Sequence, residues 1–207
     1  MKGLLLKDWY MVWKYCKYYF LLGIVFFAFS IVEDNMFFVF YPCLLCGIIP
    51  ANLLGYDERS RWMQYSGTLP YTRAQIVSAK YLIGLFAQTA MLFLMGIAQG
   101  IRMGMNGSFR GNDFLVIMLL LLIASTITSS VSLPFIFRLG VEKGRAAYYV
   151  LVGLISGISV AMTGLFRGPF RTVIRPNLVL VLLAVAGVGI YALSWYLSVV
   201  FYRKREL

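Results

Sequence analysis

Six apolar runs, at 18–32, 36–56, 81–101, 114–137, 146–166 and 178–202, take up most of this 207-residue chain, and the basic residues between them are unevenly shared. A helix needs about 20 apolar residues to cross the roughly 30 Å hydrocarbon core of a bilayer. If both chain ends are threaded on one side, that side receives Lys2, Lys7, Lys14, Lys17, Arg59, Arg61, Arg73, Lys80, Arg138, Lys143, Arg145, Arg203, Lys204 and Arg205. The opposite side receives only Arg102, Arg110, Arg167, Arg171 and Arg175. Basic loops stay in the cytosol during insertion. The expected architecture is therefore an all-α, multi-pass membrane protein of six transmembrane helices, with N- and C-termini cytoplasmic.

The composition agrees with that layout. The chain is 61% hydrophobic and 13% charged, against about 25% charged in an ordinary soluble domain. Six spans leave no residues for a second domain, so 1–207 is expected to form a single transmembrane domain. The net charge of +11 is accounted for by the loops that flank the spans. It implies contact with anionic headgroups of the lipid bilayer and no nucleic-acid partner. The first run ends at Glu33-Asp34-Asn35, which lacks a small-x-small cleavage pattern, so it is expected to remain as an anchor.

Missing residues exclude several chemistries. With no histidine, most zinc sites and Ser-His-Asp hydrolases are ruled out. Cys43 and Cys46 spell Cys-x-x-Cys, but Leu44, Leu45, Ile48 and Ile49 surround them; they and Cys16 read as packing residues. No metal site is expected. No span carries an acidic residue near its centre, where ion-coupled carriers place one. There is no Gly-x-x-x-x-Gly-Lys-Ser/Thr phosphate loop. The chain is expected to be no enzyme, and a transporter built from it must be passive or driven by another protein.

The segments outside the spans are more specific. On a helical wheel of residues 1–17, Lys2, Lys7, Lys14 and Lys17 fall together, while Leu4, Leu5, Leu6, Trp9, Val12 and Trp13 cover much of the rest. This suits an amphipathic interfacial helix preceding the spans; the alternative is a plain extension of span one. The 57–80 loop opens with Asp57, Glu58, Arg59, Arg61, Trp62 and Tyr65. Gly67 supplies a helix stop, Leu69-Pro70 a turn, and Thr72 with Gln75 a capping box beside Arg73. The pattern predicts a short helix over about 58–66, a turn, and a helix running into span three. Such a helix suits docking of a partner, with aromatic residues for area and charges for orientation. A solvated loop that only fixes topology is the plainer reading.

Within the spans, Pro42 and Pro50 invite kinks in the second, and Pro134 is expected to end or bend the fourth. Ser125, Thr128, Ser129 and Ser132 share one face of span four, where they pack between helices or line a translocation path. Gly96, Gly100 and Gly104, and separately Gly153 and Gly157, have the four-residue spacing that permits close helix approach. Arg167, Arg171 and Arg175 recur every four residues in the last outer loop.

The opening MKGLLLKDWY and the segment DERSRWMQYSGTLPYTRAQIVSAKY, with Asp57, Glu58, Trp62, Leu69, Pro70, Arg73, Lys80 and Tyr81, resemble the membrane (permease) subunit of a type 2 ATP-binding-cassette exporter. The resemblance is to the small Firmicute-type permeases akin to phenol-soluble-modulin exporters, and in layout it covers the whole chain. One position departs, since Arg61 stands where many such permeases carry Gly. The resemblance implies the type 2 ABC exporter permease fold, with a coupling helix near 57–66 seated on an ABC ATPase subunit. It implies a dimer with a second permease copy or homologue, and no cofactor in this chain, ATP and Mg residing on the partner ATPase. The cargo would be amphipathic peptides or other hydrophobic molecules moved out of the cell. The residues alone leave open a different class, a non-transport membrane binding, immunity or sensor protein without an ATPase partner.

Overall fold

A computed structural model describes residues 1–33, 35–66, 68–107, 110–146, 149–150 and 176–204. These residues are helical, without strands among them. Helix α1 (Lys2–Met11) continues through a π-helical turn (Val12–Cys16) into α2 (Lys17–Val32), then come α3 (Phe37–Gly47), α4 (Ile49–Arg59) and the short α5 (Trp62–Ser66). The long α6 (Arg73–Met105) and α7 (Gly111–Leu139) follow. Helix α8 opens at 141–146, and α9 (Pro176–Lys204) closes the chain. Among the described residues, five helical segments are long and apolar enough to cross a membrane. The expected span at 146–166, Gly153, Gly157 and the outer-loop arginines lie wholly or mostly outside the described residues.

The first helical run is continuous over 31 residues, about 47 Å at about 1.5 Å per residue, which exceeds the hydrocarbon core. No loop separates the expected surface helix from span one. The π turn inserts extra backbone near Cys16, whose φ of −108° and ψ of 3° depart from helical values. Such turns re-aim the residues around them. Leu4, Asp8, Val12 and Cys16 face inward, and α1 packs on α6.

Proline and glycine set the other boundaries. Pro50 has no N–H to continue α3; the chain closes instead with Ile48 N–H bonded to the Leu45 carbonyl at 3.1 Å, and α4 restarts at Ile49. Helix α7 runs on through Pro134 to Leu139 and stops at Gly140, whose φ of 86° suits glycine. The predicted 58–66 helix is divided. Helix α4 extends to Arg59, and Arg61 breaks the helix at a φ of 53° before α5 begins.

Polar groups between spans need partners inside the chain. Ser125, Thr128, Ser129 and Ser132 are all buried. Ser125 and Thr128 donate to the carbonyls of Leu122 and Ala124 on their own helix. Ser129 reaches across to the Gly47 carbonyl at 2.8 Å and accepts from Gln88 of α6, which also donates to the Ser125 carbonyl. Tyr81 bonds Ser194 and Ser198 of α9, and Ser194 donates to the Ser130 carbonyl. Ser129 thus ties α7 to α3 and α6, while Tyr81 and the Ser130 carbonyl tie α9 to α6 and α7. The exposed Leu21, Ile24, Phe86, Phe93, Val185 and Val188 form the outward apolar surface expected against lipid.

The expected glycine spacing is met in part: a Cβ on Gly96 would lie 2.8 Å from Met118 Cε of α7, and other close contacts fall on glycines outside it. A Cβ on Gly47 would lie 2.8 Å from Thr128 Cβ and 3.0 Å from the Ser125 carbonyl oxygen, whereas one on Gly104 would meet nothing within 4 Å. Gly47→Ala is expected to cost about 1–3 kcal/mol by forcing α3 from α7. Gly104→Ala should be neutral or slightly stabilising through helix propensity. Thermal unfolding of both variants in detergent checks the contrast.

Candidate docking site

The end of the bundle that carries α5 is built around four charges. Lys80 Nζ lies 2.6 Å from Asp8 Oδ1 and 2.6 Å from Asp57 Oδ2. Lys7 Nζ lies 2.8 Å from Asp57 Oδ1 and 3.2 Å from Asp8 Oδ1. Asp8, Asp57 and Lys80 are all but inaccessible, at 0%, 2% and 1% exposure. Carboxylates removed from water need nearby cations, and here α1, α4 and α6 each supply part of the neutral set. The same Lys7 ammonium sits 3.5 Å from the centroid of the Trp62 ring, a cation–π contact that holds α5 to the cluster.

The remaining fixings of the loop are local. Thr72 Oγ1 accepts from Gln75 N–H at 3.3 Å, and Gln75 Oε1 accepts from Thr72 N–H at 3.1 Å, a reciprocal capping box that starts α6. Leu69 and Pro70 form the turn before it, with Leu69 N–H on the Ser66 carbonyl and Tyr71 N–H on the Leu69 carbonyl. Arg73 donates at 3.0 Å to the carbonyls of Tyr202 and Arg203, satisfying acceptors at the C-terminal end of α9. Glu58 Oε2 accepts from Val141 N–H at 2.9 Å, which ties α4 to the start of α8.

The residues singled out from the sequence thus divide into two groups. Asp57 points into the charge cluster, Glu58 holds α8, and Trp62 is half-buried beneath Lys7. Arg59, Arg61 and Tyr65 are exposed, Tyr65 by 62%. The outward surface available to a partner is narrower than the sequence pattern suggested. The four-charge cluster was the missed feature. The signals for it were Asp8, which falls off the lysine side of its helix, and Lys80, close to an apolar run.

Arg61 has the left-handed φ that Gly tolerates, a physical reason for glycine at this position. Arg61→Gly should raise stability by about 0.5–1 kcal/mol. The relieved strain is about 1–2 kcal/mol, and the added chain entropy offsets about 0.5–1 kcal/mol of it. Denaturant or thermal unfolding of the purified chain reads this directly.

The family model for ABC-2 family transporter proteins matches residues 3–203, nearly the whole chain. The chain belongs to the ABC-2 transporter family. It is a multi-pass permease subunit of an ABC transporter, a membrane transport subunit whose family membership implies an ATPase on a separate chain. No curated protein and no solved structure matches this permease significantly. Among the described residues no group of three or more histidine, cysteine or acidic side chains could hold a metal ion. The cysteines Cys16, Cys43 and Cys46 are free and buried.

Proposed function

We propose that this permease is driven in the export direction by ATPases gripping α5 and its flanking turns, with the basic end of the bundle in the cytosol. The observation that carries the reading is the combination of an exposed Arg59, Arg61 and Tyr65 surface with a rigid buried anchorage at Asp8, Asp57 and Lys80. ATP and Mg²⁺ act on the ATPase. Closure of the ATPases presses on α5, and the push passes through Trp62 and Lys7 to the four-charge cluster. Because that cluster joins α1, α4 and α6, the first three spans move together. Two permeases, identical or homologous, enclose a central path that opens outward as these spans rock. Asp57, Glu58 and Trp62 act as positioning residues, and Arg59, Arg61 and Tyr65 make the contact.

The cargo class follows from the apolar interior and from the likeness of the 57–81 segment to small Firmicute-type exporters. Amphipathic peptides of the phenol-soluble-modulin kind, or other hydrophobic molecules, suit it. The test is co-purification of the full chain with its cognate ATPase, followed by cargo-stimulated ATP hydrolysis in proteoliposomes. The reading expects stable complex formation and stimulation by an amphipathic peptide. A chain that binds no ATPase, or a complex indifferent to every such peptide, would overturn the docking and cargo parts respectively.

A further inference from the structure

A cleft of about 520 Å³ lies between the π turn, the end of α4 and the start of α8. Its size falls within the roughly 300–1,000 Å³ of small-ligand sites, and the docking reading uses only Glu58 and Arg59 of its lining. Arg145 stands half-buried in its wall, with one Nη donating to Asn52 Oδ1 at 2.7 Å. Its Nε is buried and has no hydrogen-bond partner, and no carboxylate pairs with this guanidinium among the described residues. Arginine keeps its charge at any ordinary pH, and a buried donor without an acceptor is costly. Tyr19 lines the same wall and accepts from Asn52 Nδ2 at 2.8 Å, which leaves its own O–H to donate.

The charges around the cleft point the same way. Arg59 and Lys143 are exposed at its rim, while Glu58 and Glu142 are its carboxylates. Glu58 has turned one oxygen onto Val141 N–H. Three cations against two carboxylates leave one positive charge, the complement of a phosphate monoanion. The cleft also lies where spans end, the level at which lipid headgroups are found on either side of a bilayer.

We infer that this cleft binds a phosphate group, with the Arg145 guanidinium and the Tyr19 hydroxyl as its donors and Arg59 and Lys143 supplying charge. Neither the ATPase docking nor the orientation of the chain is needed for this. The phosphate comes either from a phospholipid headgroup or from a free phosphate in solution. Native mass spectrometry of the full chain in non-ionic detergent, offered phosphatidylglycerol against phosphate-free diacylglycerol, tests the lipid source. Phosphorus NMR line broadening of inorganic phosphate by the same protein tests the soluble source. The expected result is preferential retention of phosphatidylglycerol or broadening of inorganic phosphate, with Arg145→Gln lowering it at least about tenfold. Lys143→Gln touches an exposed side chain and should lower it roughly fivefold with the fold intact, so it decides the matter if Arg145→Gln is unstable. Equal retention of the two lipids together with no broadening, or phosphate binding unchanged in Lys143→Gln and in a folded Arg145→Gln, overturns the assignment.

Discussion

Lys80→Met is expected to destabilise the permease by about 3–5 kcal/mol, the cost of leaving a buried ion set without a partner. Lys80 is the cation that Asp8 and Asp57 share at 2.6 Å each. Its loss leaves two buried carboxylates facing Lys7 alone, and charge can no longer balance. The diagnostic step is the second substitution. Asp57→Asn added to Lys80→Met restores one cation to one carboxylate and should recover a large part of the loss, although Asp57→Asn alone is itself destabilising. Unfolding in detergent reads all three variants. Additive losses in the double variant would mean that the charges do not act as a set. Transport should fall further than stability explains, because α1, α4 and α6 lose their common tie.

The second large effect is expected on partner affinity without loss of fold. Arg59→Glu with Tyr65→Ala changes two exposed side chains. If α5 is the contact, the pair should weaken ATPase binding by about 10–100-fold, which corresponds to roughly 1.4–2.7 kcal/mol and is typical of a contact aromatic and an oriented charge. The melting temperature of the isolated permease should stay within about 1–2 °C, as for surface substitutions in general. Trp62→Ala would behave differently. It removes the ring under Lys7, so it should lower both affinity and stability. Surface plasmon resonance against the ATPase, beside the unfolding curves, separates the two kinds of residue.

Much of the architecture could be read from short-range rules. Apolar run lengths located the long helices because a bilayer fixes a length, and Thr72 with Gln75 located the start of α6 because a capping box spans only three residues. Relations across long sequence separation could not be read. Lys80 and Asp8 are 72 positions apart, and no periodicity tells a charged residue at a span end whether it meets water or a partner. The glycine spacing at 96, 100 and 104 shows the same limit. Four-residue spacing describes one helix surface, while the neighbour opposite it is a property of the fold; of the three, Gly96 meets the Met118 side chain of α7, Gly104 meets nothing, and the contacts with α7 backbone fall at Gly47 and Gly144. The short helix near 58–66 was legible as an idea but not in its outline. Its break at Arg61 depends on a left-handed residue that composition does not announce. Likewise Asp57 and Trp62 read as outward-facing until their partners Lys80 and Lys7 were in place.

The central claim is that α5 is where the motor protein takes hold. A photo-crosslinking residue at position 65, in membranes containing the full permease and its cognate ATPase, tests it most directly. The account predicts a covalent adduct between permease and ATPase, absent when the crosslinker is moved to a lipid-facing site such as position 93. An assembled, ATP-hydrolysing complex that gives no ATPase adduct from position 65 would contradict it.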